Sequence, residues 1–168
     1  TAYMPLDILR LVPGFERVSY VDPYSGGVAN SVRYTAMAPH DLALRATGVS
    51  NLFCAGEKAG PLVGHTEAIC TGTLAGRNAA LCAAGEEPVT LPASLAIGHA
   101  IQFVTEAQHR PGGWDKKIAV SGSAYVARVE QLGLYATDRA AIGARVSAAG
   151  ADGLFGQRIV RRRAMATA

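Results

Sequence analysis

Long uninterrupted apolar runs are missing from this 168-residue chain. The nearest approach, residues 69–91, is broken by Arg77, Asn78, Glu86, Glu87 and Pro88, so a membrane-spanning helix is not expected. Cysteine is scarce and odd in number. Cys54, Cys70 and Cys82 cannot build a disulfide scaffold, and none has the Cys-x-x-Cys partner of a dithiol or zinc site. Such a set suits a reducing, cytoplasmic compartment. His40, His65, His99 and His109 show no metal-ligand spacing. Charged residues make up only 17% of the chain and aromatics 7%, against 49% hydrophobic, which excludes disorder for its bulk. Much of the apolar content is alanine and glycine, pointing to close backbone packing and not to lipid. The opening TAYMPLDILRLVPGFE lacks the basic start of a signal peptide. A chain that begins at Thr1 reads as processed, trimmed or cut from something longer. The net charge of +3 is modest, with basic residues gathered at the far end.

What is there reads as mixed α/β up to about residue 88 and helical afterwards. Residues 4–11 suggest a short helix with Pro5 in its first turn, ended by Pro13-Gly14. Residues 15–21 and 28–36 alternate as two strands of a hairpin around the turn 22–27. Pro39, His40 and Asp41 start a short helix over 39–46. Residues 51–56 read as a buried strand stopped by glycine, followed by a glycine-rich loop over 57–65. A long helix is expected over 66–84, with Gly72 and Gly76 on one face. Glycine inside a helix costs about 1 kcal/mol relative to alanine, so two on one face suggest another backbone pressed close. Further helices are expected over 92–108, 123–132 and 138–149, with Ser123 and Thr137 as caps, and over 154–165.

The informative stretch is NLFCAGEKAGPLVGHTEAICTGTLAGRNAA, residues 51–80. Its order is strand, acidic residue, glycine loop, helix. A buried strand delivers its end to the sheet edge where open α/β folds bind ligands. Glu57 offers a carboxylate there for a sugar or polyol hydroxyl. Gly60 and Gly64 can expose backbone N–H groups. The helix start brings unpaired N–H groups and a positive dipole end. On physical grounds alone, a plain structural turn is the favoured explanation of the same pattern over a cofactor or phosphate site.

The stretch resembles the C-terminal flavin-contacting segment of FAD-dependent oxidoreductases of the glutathione-reductase-like class. More closely, it is similar to the glucose-inhibited division protein A and folate/FAD-dependent tRNA methyltransferase family. The resemblance rests on Ala55-Gly56-Glu57, where the family's acid is usually aspartate, and on the turn Gly64-His65-Thr66-Glu67 with its helix. It is specific over about thirty residues, extends weakly upstream through Tyr34 to Ser50, and says little beyond residue 90. It implies an α+β, mostly helical fragment: the C-terminal strand–loop–helix of an FAD-binding Rossmann domain with a remnant of a substrate-side β subdomain (1–88), then a helical C-terminal domain (89–168). It implies cofactor contacts by Gly56, Glu57, Lys58, Gly64, His65, Thr66 and Glu67, with Glu57 on the ribityl chain and the Gly64–Glu67 turn against the flavin ring. It also places Asp22, Tyr24, Asn30, Arg33 and Tyr34 on the substrate side. No catalytic residue is assigned, and no metal.

The departures from the family pattern matter as much. No Gly-x-Gly-x-x-Gly unit or following ribose-binding acid is present. The expected function is therefore that of a C-terminal fragment of an FAD-dependent oxidoreductase. FAD would belong to the intact protein, with little or no binding by this chain alone, and the first partner would be the missing N-terminal part. A truncated sheet would expose an edge and favour homo-oligomers. The basic tail from Arg158 is a weak signal for tRNA, because it lacks interleaved aromatics. The alternative is a non-catalytic helical interaction or assembly module in which the glycine turn is structural.

Overall fold

The computed structural model describes residues 5–19, 37–62, 64–114 and 124–159. Five helices follow in order among them: α1 (Leu6–Leu9), α2 (His65–Ala83), α3 (Ala96–Ala107), α4 (Ala124–Gln131) and α5 (Arg139–Ala148), with a single 3-10 turn (Gly56–Ala59) ahead of α2. The expected strand 28–36, the turn 22–27 with Asp22, Tyr24, Asn30, Arg33 and Tyr34, and the tail from residue 160 lie outside the described residues.

The expected α+β fold, with the strand–loop–helix of a Rossmann FAD domain, is overturned. No strand exists among the described residues; isolated antiparallel bridges join His40 to Ala46 and Arg45 to Phe53. Residues 51–56 spend their hydrogen bonds on a local turn: Ala46 N–H donates to Leu52 C=O at 2.9 Å and Cys54 N–H to Leu44 C=O at 2.8 Å. The bridging partner cannot extend into a strand, because Leu44 holds φ of 65°, left-handed backbone that no L-residue sustains in a sheet. The other end is closed by Gly56, whose φ of 56° turns the chain straight into the 3-10 turn. Residues 15–19 form no strand either: Val18 N–H donates to Phe15 C=O at 3.0 Å across a turn at 16–17.

The expected helix over 39–46 also fails to form. The Asp41 carboxylate accepts from Ala43 N–H and Arg45 N–H, both at 2.9 Å, and this Asx turn competes with the helical ladder. The long helix is present, at His65–Ala83. The helix expected from residue 92 starts at Ala96, because residues 92–95 form a turn in which Leu95 N–H donates to Pro92 C=O at 3.0 Å. In α5 the cap is Asp138, which accepts from Ala141 N–H at 2.7 Å, and not Thr137. Residues 152–156 are turns in place of a last helix.

Two apolar clusters share α3. The first joins Leu44, Ala46, Cys54, Ala59, Leu74, Ala75 and Ile101. The second joins Leu62, Ala100, Val104, Tyr125 and Val129, with Trp114 and Leu134 against it. Successive residues of α3 thus face different clusters, Ala100 and Val104 on one side and Ile101 on the other. The α5 helix contributes no buried residue. Among the described residues, no helix is long and apolar enough to cross a membrane.

Candidate functional site

The segment from Ala55 to Glu67 is held by the buried stripe of α2. Gly56 N–H donates to Thr71 Oγ1 at 2.8 Å, and Thr71 Oγ1 donates onward to Glu67 C=O at 2.7 Å. Lys58 N–H closes the turn on Ala55 C=O at 3.1 Å, while Lys58 C=O accepts from Ala38 N–H at 2.9 Å. The side chains of Glu57 and Lys58 are exposed. At the start of α2, His65 and Thr66 are exposed and Glu67 is buried.

The Glu67 carboxylate folds back over Gly64, the N-cap residue. A Cβ on Gly64 would overlap a Glu67 oxygen, so a larger residue there would have to push the carboxylate aside. A carboxylate in the first turn is also favoured by the helix dipole. Of the seven residues expected to contact a cofactor, the fold brings Gly64 and Glu67 together. It leaves Glu57 and Lys58 on one exposed turn and His65 and Thr66 on another.

Four buried or half-buried polar side chains that the sequence did not mark hold this region in place. Asn78 Nδ2 donates to Ala43 C=O at 2.9 Å and to Val89 C=O at 2.8 Å, and its Oδ1 accepts from Val89 N–H at 2.9 Å. His40 lies buried with Nδ1 2.8 Å from Asp41 C=O and Nε2 2.9 Å from Ala59 C=O. The amide of Gln108 pairs with the His40 backbone in both directions, accepting from its N–H at 3.0 Å and donating to its C=O at 2.8 Å. Thr71 completes the set. Their signal was positional: Thr71 and Asn78 fall on the same helix stripe as Leu74 and Leu81, and a polar residue on a buried stripe must find partners.

The ionisation of nearby groups does not favour nucleophilic chemistry. Burial pushes the Cys54 thiol up, with Lys58 opposing it weakly. Burial also raises Cys70, and the neighbouring Glu67 charge adds to the rise. Reactive thiols need the opposite shift. No group of three or more His, Cys, Asp or Glu among the described residues is placed to hold a metal ion. At the junction of α3 and α4, His99 Nδ1 lies 2.6 Å from Tyr125 Oη. Burial lowers the His99 pKa, and the Arg128 charge lowers it further against Glu106. Burial pushes Tyr125 up to about 12.

These residues do not fit a flavin cradle. The Gly56 N–H is taken by Thr71, the face of Gly64 is covered by Glu67, and among the described residues no sheet edge presents Glu57. The expectation that this chain supplies ribityl and flavin-ring contacts from a strand tip is therefore corrected.

A protein-family model described as "Glucose inhibited division protein A" matches residues 3–87, just over half of the chain. The chain belongs to this family. Curated relatives carry the name methylenetetrahydrofolate–tRNA-(uracil-5-)-methyltransferase TrmFO. The protein of Lysinibacillus sphaericus is 31% identical over 104 residues, covering 62% of this chain and 23% of its own length. That of Caldicellulosiruptor bescii is 35% identical over 100 residues, covering 58% and 22%. That of Enterococcus faecalis is 34% identical over 105 residues, covering 60% and 22%. The chain thus spans little more than a fifth of the length of these curated relatives. No solved structure matches it.

Proposed function

We propose that this chain is a non-catalytic helical interaction or assembly module in which the run from Gly56 to Gly64 is a structural turn. The observation that carries this reading is the outer face of α2. Opposite the buried stripe of Leu74, Asn78 and Leu81, the helix presents His65, Ile69, Gly72, Thr73, Gly76, Ala80 and Ala83, and the Thr73 hydroxyl is turned back onto Ile69 C=O at 2.8 Å. No acidic or basic side chain of the Asp, Glu, Lys or Arg type stands on that face. Ile69 is 69% exposed, and no described atom lies within 4 Å of the positions a Cβ would take on Gly72 or Gly76. The close backbone expected against these glycines is thus not supplied by the described part of this chain. A surface helix ordinarily carries charged and polar residues on its solvent side, and a face of small and apolar residues with no Asp, Glu, Lys or Arg suits contact with a partner. Its two glycines would also be costly without a partner that uses the space.

The proposed occupant is another polypeptide surface of a longer family protein, with Glu57, Lys58, His65 and Thr66 as the polar rim of the contact. Oxidoreductase activity, FAD and tRNA contact are proposed for such a longer protein and not for this chain alone. The test is association. The Lysinibacillus sphaericus relative, produced without the stretch that matches this chain, is mixed with it and analysed by sedimentation. A complex that Gly76→Trp removes, with the melting temperature of the variant unchanged, supports the module. A homodimer with the same sensitivity supports assembly through the same face. A monomer that forms neither complex refutes the proposal.

A further inference from the structure

The second apolar cluster is closed by α4, and a small set of side chains fastens it. Tyr125 and Val129 are buried there against Leu62, Ala100 and Val104. Beside them, His99 Nδ1 on α3 lies 2.6 Å from Tyr125 Oη on α4. The His99 ring also stacks on Tyr125, with centroids 5.8 Å apart, and on Phe103 at 6.4 Å. We infer that this contact is a proton-operated latch. With His99 neutral it holds α4 on α3. Protonation of the ring frees α4 from the second cluster while α2 and the first cluster stay folded.

The arrangement makes His99 the group that changes state. Tyr125 keeps its proton, because burial pushes its pKa up to about 12, whereas histidine titrates near neutral pH. The neutral ring can accept the Tyr125 hydroxyl proton on Nδ1. The imidazolium donates from both nitrogens, so the hydroxyl hydrogen must then turn away. The added charge is also badly placed. It lies against two aromatic rings, and the Phe103 ring that could favour a cation already carries Arg128, whose guanidinium carbon is 5.2 Å from its centroid. Among the described residues, the charges that act on His99 are Arg128 from α4 and Glu106 from α3. Arg128 disfavours a second cation. Glu106 favours one, but its carboxylate is exposed and accepts from Gln102 Nε2 at 2.8 Å, where solvent and salt screen it. Burial and Arg128 prevail, and the docked helix holds the His99 pKa below its ordinary value. A proton therefore binds more readily once α4 has left, so acid favours release. The α4 helix has eight residues, too few to persist without packing, and undocking it unfolds it.

The experiment is an NMR pH titration of the full chain from pH 7.5 to pH 5, with amide exchange corrected for its intrinsic pH dependence. Leu132 and Leu134 N–H, which donate to Arg128 and Val129 C=O at 3.1 and 2.9 Å, report on α4. Trp114, the single tryptophan, packs on the same cluster and donates from Nε1 to Val104 C=O at 3.0 Å, so its fluorescence reports on the cluster. The α4 amides are expected to lose protection, and the Trp114 emission to shift to the red, as the His99 ring titrates with a midpoint below 6.5. The α2 amides should keep their protection. His99→Gln retains an acceptor for Tyr125 and cannot titrate, so α4 protection should become independent of pH. Arg128→Gln, an exposed change outside the core, should raise the His99 midpoint and shrink the loss. Protection in α4 that ignores pH, or that falls equally in His99→Gln, would overturn the inference. So would an equal loss in α2, which is global unfolding and not release of α4, or an Arg128→Gln chain whose His99 midpoint has not moved.

Discussion

Asn78 makes three side-chain hydrogen bonds, and each of them reaches backbone outside α2. Asn78→Ala would strand a donor on Val89 and acceptors on Ala43 and Val89 in a closed environment. Leaving buried polar groups unpaired costs about 1–3 kcal/mol each before relaxation, so a loss of roughly 2–4 kcal/mol is expected by urea denaturation. His99 sets a second residue-scale expectation. Its pKa in the folded chain is lowered from the ordinary 6.5, so the unfolded chain binds the extra proton first. Stability is then complete above about pH 6.5 and falls as pH drops through the folded value. Urea midpoints measured at pH 7.5 and at pH 5 should differ less in His99→Gln than in the unmodified chain.

At the scale of elements, the start of α2 depends on a fit between two side chains and not on a side-chain cap. The N-cap Gly64 accepts no side-chain help, and Glu67 occupies the space where a larger residue would stand. Gly64→Ala is therefore expected to destabilise the chain by about 1–2 kcal/mol, in the range of a lost cap or an overpacked contact. Glu67→Ala removes the atom in the way. A double-mutant cycle should consequently show that the two losses are not additive, with the pair costing less than their sum. Additive losses in that cycle would mean that the carboxylate does not sit where the structure places it.

Across the whole molecule, stability is unevenly distributed. The α3 helix joins both apolar clusters, whereas α5 buries nothing and is tied by Arg145, which donates to Leu134 C=O at 2.6 Å and Gly133 C=O at 2.8 Å. Local opening follows buried contact density. Amide hydrogen exchange should therefore be slowest in α2 and α3 and fastest in α1 and α5. Equal protection across the five helices would contradict the two-cluster arrangement.

The same division runs through what was legible in the chain itself. The long helix at α2, the helix at α5 and the rough place of α3 and α4 follow from local periodicity and breakers, which need no distant partner to act. Family membership was legible in Ala55-Gly56-Glu57 and the turn at Gly64, because a resemblance in residue order needs no tertiary contact to be read. The strand expected over 51–56 was not decided locally. A short apolar run becomes a strand only if neighbours offer backbone groups to pair with, and here the left-handed Leu44 and the Asx turn at Asp41 leave the run a single described bridge, Arg45 to Phe53. Tertiary contacts also decided the duties of the glycine run. They gave the Gly56 N–H to Thr71 and the space over Gly64 to Glu67, and they left Gly72 and Gly76 facing outward. Sequence order places residues along a helix, but only packing decides which donors are already satisfied and which face still lacks a partner.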